Sequence, residues 1–215
     1  MAHYIKSLIE QGEHQKLDFK FEISDARKIA KTFSAFANTD GGKLLIGVKD
    51  NGVITGIRAD EEDYMVESAA HLFCRPKIDY HIKKWFIDGK WVLEVTIPES
   101  KSKPHYAKNE DGRWLAYLRV KDENLLANSV MLNVWKLGSK SKGILIKYGP
   151  KEKRVMKVLL ENATMDIDQL TDSTGIKKYI IKNILVKMIS VGVVEIVYRD
   201  HRQFYRLKKM PEPIG

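Results

Sequence analysis

The stretch SAFANTDGGKLLIGVKDNG, Ser34 to Gly52, restricts the fold of this chain more than any other. It carries the end of an apolar helix through a Gly-Gly step into an uninterrupted apolar strand. Gly41 and Gly42 admit positive φ, so the chain can reverse tightly after the helix and leave backbone N–H groups uncovered. Leu44, Leu45, Ile46 and Val48 lack the alternation of a half-exposed strand, which predicts a central strand buried on both faces. Asn51-Gly52 is a two-residue hairpin signal; it predicts a return strand over Val53 to Ile57 and places Asp50 at the strand end near the surface.

Around this centre helices and strands are interspersed. Tyr4 to Gln11 predicts a short amphipathic helix stopped by Gly12. Leu17 to Phe21 alternates, which predicts Leu17, Phe19 and Phe21 facing a core and Asp18 and Lys20 facing away. Ser24 is the expected N-cap of a helix reaching Asn38. A helix over Glu61 to Phe73 must end before Pro76. Ile78 to Phe86 and Lys90 to Ile97 read as a hairpin across Asp88-Gly89. Pro98 to Gly112 is polar and reads as a long surface loop, followed by a strand over Arg113 to Val120 and a helix over Asn128 to Leu137.

Charge points to a partner class. The chain has 37 Lys and Arg against 28 Asp and Glu, a formal +9, which favours anionic partners, nucleic acid first. From Gly143 onward there are 14 basic and 8 acidic residues, so the last third holds +6 of that excess. The pattern changes there too. GSKSKG, Gly138 to Gly143, reads as a linker. Lys151 to Asn162, Ile167 to Ser173 and Lys177 to Val191 read as helices, with Gly175 between the last two. Val193 to Tyr198 and Gln203 to Leu207 read as strands joined by Arg199-Asp200-His201-Arg202. This order predicts a winged helix-turn-helix. Lys177, Lys178, Tyr179, Lys182 and Asn183 lie off the apolar stripe of the third helix, where a recognition helix reaches base edges and phosphates. Arg199, His201 and Arg202 stand where a wing grips phosphates or enters a minor groove. Lys101 and Lys103, with His105 and Lys108, form a second basic strip that either contacts phosphates or is simply solvated.

Other classes are disfavoured. A single cysteine, Cys74, excludes a disulfide framework within the chain and a multi-cysteine zinc site, and suits a reducing compartment. The chain lacks an apolar run long enough for a bilayer and a secretory apolar segment at its start, so a cytoplasmic protein without a membrane partner is expected. GGKLLIG lacks the G-x-x-x-x-G-K-[ST] pattern of a phosphate-binding loop.

The central stretch resembles the signature of the Schlafen AlbA-type domain. Further blocks fit in the same order: LDFKF at Leu17 to Phe21, CRPKI at Cys74 to Ile78, VTIPESKSKPHYA at Val95 to Ala107, and YLRVKDENLLAN at Tyr117 to Asn128. The resemblance covers the first two thirds of the chain. It implies an α+β fold, a mixed sheet with packed helices over residues 1–137, to which the pattern of the tail adds the linker 138–143 and the small winged-helix domain 144–215. The function it implies is nucleic-acid binding by a bacterial-type transcriptional regulator without a cofactor, and the winged-helix tail, which buries few base contacts alone, adds the expectation of DNA ahead of RNA and of a homodimer. It also implies an alternative. Some Schlafen proteins are metal-dependent RNases, and by position their acids correspond to Glu13, Asp18 and Asp50, which would hold Mg²⁺ or Mn²⁺. Here the middle acid is Asp and Lys49 stands where an acid is common, so an enzyme is the second reading.

Overall fold

The computed structural model describes residues 2–57, 59–138 and 148–208. It divides at Ala127/Asn128 into two compact units. In the predicted linker, residues 139–143 lie outside the described residues.

The first unit runs α1 (Ala2–Gln11), β1 (Leu17–Lys20), α2 (Ala26–Asn38), β2 (Gly42–Ile46), α3 (Ala59–His71), β3 (Cys74–Arg75), β4 (His81–Ile87), β5 (Lys90–Ile97), β6 (Tyr106–Lys108), β7 (Trp114–Val120) and β8 (Glu123–Leu126). One sheet is mixed, with order β1-β2-β5-β4 and a parallel β1/β2 pair; the other is antiparallel, with order β3-β6-β7-β8. Leu44, Leu45, Ile46 and Val48 are all fully buried, as their unbroken apolar run predicts. The pleat explains why both faces need apolar residues: Leu44 and Ile46 join one core with Leu93, Val95 and Ile97, and Leu45 joins another with Phe19, Trp85 and Val92 beneath Ile5 of α1.

Helix α2 packs against α3 and against strands of both sheets, so it is buried on almost every side. Ile29, Ala30, Phe33, Phe36 and Ala37 fill the apolar core, and burying each Phe contributes ~2–3 kcal/mol. Thr32, Ser34 and Asn38 are buried as well, and buried polar groups require partners. Asn38 Nδ2 donates to the carbonyls of His105 (2.8 Å) and Tyr117 (2.9 Å), while its Oδ1 accepts from the His105 N–H (2.7 Å). The Ser34 hydroxyl donates to the His105 carbonyl (2.8 Å) and accepts from the Tyr117 N–H (3.1 Å). One helix face thereby fixes the segment that leads into the second sheet.

That clamp corrects the expectation of a surface loop over Pro98 to Gly112: His105 is buried and Tyr106–Lys108 is a strand. Asp25, not Ser24, caps α2, its carboxylate accepting from the Arg27 N–H at 2.8 Å. On β1 the predicted facing fails at two positions, since Asp18 is 2% exposed and Phe21 is 46% exposed. The strand is covered on both faces and ends before Phe21. The expected return strand after Asn51-Gly52 shrinks to a single Val48–Ile54 bridge, because β2 already has β1 and β5 on its two edges. Strand β8 is an addition.

The second unit contains α4 (Ser129–Gly138), α5 (Pro150–Glu161), α6 (Ile167–Thr174), α7 (Lys178–Ser190) and the antiparallel pair β9 (Val194–Arg199) and β10 (Arg202–Leu207). Its core gathers Val130, Val155, Leu159, Leu170, Ile181, Leu185 and Tyr205. Asp166 and Gln169 form a reciprocal capping box on α6, and Gly175 ends that helix at φ 66°. Met165 and Tyr205 exchange two backbone hydrogen bonds (3.0 and 2.7 Å), which ties the segment before α6 to β10. The first unit ends at Ala127, ten residues before the end predicted for it at Leu137. Asn128 caps α4 through the Met131 N–H (2.8 Å), and Val130 is fully buried in the second core, so α4 belongs with α7.

Candidate nucleic-acid interface

Helix α7 begins directly after the left-handed Gly175, with Lys177 at its N-cap. Its apolar stripe is buried: Ile181, Ile184, Leu185 and Met188 face the core. Lys177, Lys178, Tyr179 and Asn183 are exposed and Lys182 is half-buried, so these five predicted residues are displayed rather than used in packing. Lys178 Nζ pairs with Asp168 of α6 at 2.5 Å; the pair is exposed and worth at most ~1 kcal/mol, so a phosphate can compete for the lysine. In the β9–β10 hairpin, Arg199 and Arg202 face each other across a turn made by Asp200 and His201, with φ of 47° and 57°. All four are exposed. The two left-handed residues match the strand twist and project the flanking arginines from the hairpin tip.

In the first unit the acids have a different arrangement. Glu13 Oε1 accepts from the Phe19 N–H at 2.8 Å, which folds it back over β1 and brings its carboxyl to that of Asp18. Burial, then the hydrogen bond with Asp18, push Glu13 up from 4.5 to about 7. Burial would also raise Asp18, but the hydrogen bond from Glu13 and the charges of Lys20 and Arg119 outweigh it and hold Asp18 below its ordinary value. Both Asp18 oxygens are engaged. Lys20 Nζ lies 3.1 Å from Oδ2, Arg119 Nη2 lies 3.3 Å from Oδ1, and the Thr32 hydroxyl donates to Oδ2 at 3.3 Å. Arg119 is itself buried, donating to the carbonyls of Leu17 (3.1 Å) and His14 (3.4 Å) and to Asn124 Oδ1 (3.0 Å), with its guanidinium 5.2 Å from the Phe36 ring centroid.

Asp50 does not join this pair; it is exposed on the turn that closes at the hydrogen bond from Gly52 N–H to the Lys49 carbonyl. Among the described residues no group of three or more His, Cys, Asp or Glu side chains is placed to hold a metal. The three acids therefore do not form a donor set for Mg²⁺ or Mn²⁺: Asp18 is neutralised by Lys20 and Arg119, and Asp50 stands apart from Glu13 and Asp18. Lys20 and Arg119 escaped the sequence reading. A cation between Leu118 and Val120 on a strand was the one signal that could have found Arg119.

The second basic strip is also divided. Lys101 is exposed, whereas Lys103 Nζ donates to the Thr39 carbonyl (3.0 Å) and to Glu99 (2.7 Å), so it fastens the end of α2. The His105 ring lies between the Pro76 carbonyl (3.0 Å) and the Ser100 hydroxyl (2.7 Å), and burial holds its pKa below the ordinary value. Of the two turn glycines, Gly41 has φ 67° and Gly42 does not have a positive φ. A Cβ on Gly41 would lie 2.7 Å from the Glu99 nitrogen, and one on Gly42 would lie 2.5 Å from the Phe36 ring. Gly42 is thus required by packing rather than by backbone conformation.

The chain is similar to several solved structures, among them the following two. The DIP2311 protein from Corynebacterium diphtheriae is 19% identical, with a TM-score of 0.46, over 67% of this chain and 29% of its own. The N-terminal domain of a RecG-related protein from Nitrosomonas europaea is 22% identical, with a TM-score of 0.40, over 67% of this chain and 96% of its own. This chain thus spans less than a third of the Corynebacterium chain. No curated protein matches. The Schlafen, AlbA_2 family model matches residues 13–128, the segment that holds the Glu13–Asp18–Arg119 cluster and both sheets. Because that is more than half of the sequence, this chain belongs to the Schlafen, AlbA_2 family.

Proposed function

We propose that the protein binds nucleic acid, and that its second unit is a winged helix-turn-helix that reads duplex DNA. The observation that carries this is the start of α7: a left-handed glycine turn, then Lys177, Lys178, Lys182 and Asn183 displayed off a fully apolar stripe. The exposed Arg199 and Arg202 at the β9–β10 tip supply a second phosphate contact on the same unit. A net charge of +9 supports an anionic partner. One recognition helix of this length contacts few base pairs, so the reading includes a homodimer on paired half-sites and a role in transcriptional regulation within the cytoplasm. Among the described residues no helix is long and apolar enough to cross a membrane.

The test is Lys178→Glu combined with Lys182→Glu, measured by fluorescence anisotropy on duplex DNA at several salt concentrations. Binding should fall at least tenfold at low salt, and the salt slope should drop by about 0.9 for each phosphate that is no longer neutralised. Circular dichroism should stay that of the parent, since both positions lie off the buried stripe. Unchanged affinity in a folded double variant would remove α7 as the reading helix. Competition with matched duplex RNA decides between DNA and RNA.

A further inference from the structure

Charge alone does not account for the displayed side of α7. At about 100° per residue, the direction opposite the buried stripe of Ile181, Ile184, Leu185 and Met188 is taken by two neutral residues, Tyr179 and Asn183, one turn apart. Both are exposed, Tyr179 at 62%. The cations stand to the sides. Lys178 and Lys182 lie on the flank next to Leu185, and Lys187, exposed, lies on the flank next to Ile184. Val186, one turn after Lys182, is buried in the core of the unit, so the open side of the helix is its first two turns. Neither central side chain is used inside the protein. Asn162 at the end of α5 ties its carboxamide back to the Val158 carbonyl at 2.8 Å, whereas among the described residues Asn183 makes no side-chain hydrogen bond and Tyr179 no ring or cation contact. Asn is a poor helix former at an interior position and an exposed Tyr leaves its ring in water, so neither residue stabilises the helix.

Resting on the duplex reading proposed above, we infer that Tyr179 and Asn183 read an A·T-containing half-site in the major groove. Asn183 is the bidentate partner of one adenine, and Tyr179 is the apolar contact of a thymine methyl. Adenine presents an acceptor, N7, beside a donor, the N6 amino group, which a carboxamide complements with Nδ2 and Oδ1. Guanine presents two acceptors there, and one of them would face Oδ1 unpaired. Arg, whose fork matches the guanine edge, does not occur in α7. Thymine is the base that carries a methyl in the groove, and an aromatic ring supplies the apolar surface to cover it. Four residues at 1.5 Å rise separate the two readers by roughly 6 Å, so the adenine and the thymine methyl fall about two base-pair steps apart. The lysines on the two flanks hold the phosphates on either side and carry no sequence information.

The experiment selects binders from randomised DNA duplexes with the full chain, then measures anisotropy on the selected duplex and on altered copies of it. Changing the selected A·T pair to G·C should weaken the parent roughly tenfold or more, and Asn183→Ala should reduce that preference to about twofold. Replacing the adenine by 7-deazaadenine removes N7 and keeps both the pairing and the minor-groove edge. It should weaken the parent and not Asn183→Ala, whereas an A·T preference set by Arg199 and Arg202 in the minor groove would survive it. Replacing the thymine by uracil removes only the methyl, and should cost the parent about fourfold and Tyr179→Ala nothing. Circular dichroism of both variants should match the parent, since both positions are exposed. A selected pool without A·T enrichment overturns the assignment, as does a preference that Asn183→Ala or 7-deazaadenine leaves as it was, or a parent that binds no duplex. Failure of the duplex reading has a separate signature. Lys178→Glu with Lys182→Glu would then leave duplex affinity intact, whereas loss of binding in that variant beside an unaltered preference in Asn183→Ala overturns the adenine contact alone.

Discussion

Replacing Glu13 by Gln should stabilise the first unit at pH 8 far more than at pH 5. A carboxyl raised from 4.5 to about 7 takes up a proton on folding. The stability linked to it is complete below the unfolded value and is lost as pH rises through the folded one. At about 1.4 kcal/mol per pH unit that interval is worth roughly 3 kcal/mol, of which about 2.5 falls between pH 5 and pH 8. Glu13 is only half-buried, and solvent screening reduces the figure to ~1 kcal/mol. Gln keeps the shape, can accept from the Phe19 N–H and can donate to Asp18 as the protonated acid does, but it has no proton to lose. Asp18 shifts the other way, so its contribution is lost only as pH falls below its ordinary 3.8, outside the window. His105, held low by burial, titrates equally in parent and variant and cancels in the difference. Urea unfolding followed by tryptophan fluorescence in a Trp135→Phe background, which silences the tryptophan of the second unit, reads the first unit through Trp85, Trp91 and Trp114. The gain from Glu13→Gln should grow by ~1 kcal/mol from pH 5 to pH 8, about half a molar in the midpoint for an m-value near 2 kcal/mol/M. A gain that is the same at both pH values would refute the shared proton.

The part of the fold visible in the sequence is the part written in local pattern. The run Leu44 to Val48 announced a doubly buried strand because no polar residue had to be placed on either face. Asp88-Gly89 and the 200–201 turn were legible because left-handed residues have few alternatives there. Asp18 was misread for the opposite reason. Alternation assigns an acid to solvent by default, and the buried partner that completes its neutralisation beside Lys20, Arg119, lies 101 residues away. The same holds for His105, whose burial depends on Asn38, 67 residues earlier. A helix such as α4 has the same apolar pattern whichever core it joins, so its place in the second unit could not be read from its own residues. The displayed side of α7 was legible because a buried apolar stripe fixes by elimination which lysines remain outside.

Two further predictions concern the centre of the fold. Asn38→Ala removes the side chain that serves His105 and Tyr117, leaving buried backbone groups unpaired; thermal unfolding of the first unit should show a loss of ~3 kcal/mol or more, and a loss under ~1 kcal/mol would mean the clamp carries no weight. Gly41→Ala should cost clearly more than Gly12→Ala, although the two glycines have nearly the same left-handed φ, 67° and 69°. At Gly12 an added Cβ meets nothing within 4 Å, so Ala there costs only the backbone strain, ~1 kcal/mol. At Gly41 the same Cβ would lie 2.7 Å from the Glu99 nitrogen and 2.8 Å from the Ile97 carbonyl oxygen, both backbone atoms that cannot rotate away. Relieving that clash moves the end of β5 away from the turn, which adds ~1–3 kcal/mol of overpacking to the strain. Equal melting temperatures for the two variants would show that the approach of β5 to the Gly-Gly turn is loose, and the turn would then need glycine for its conformation alone.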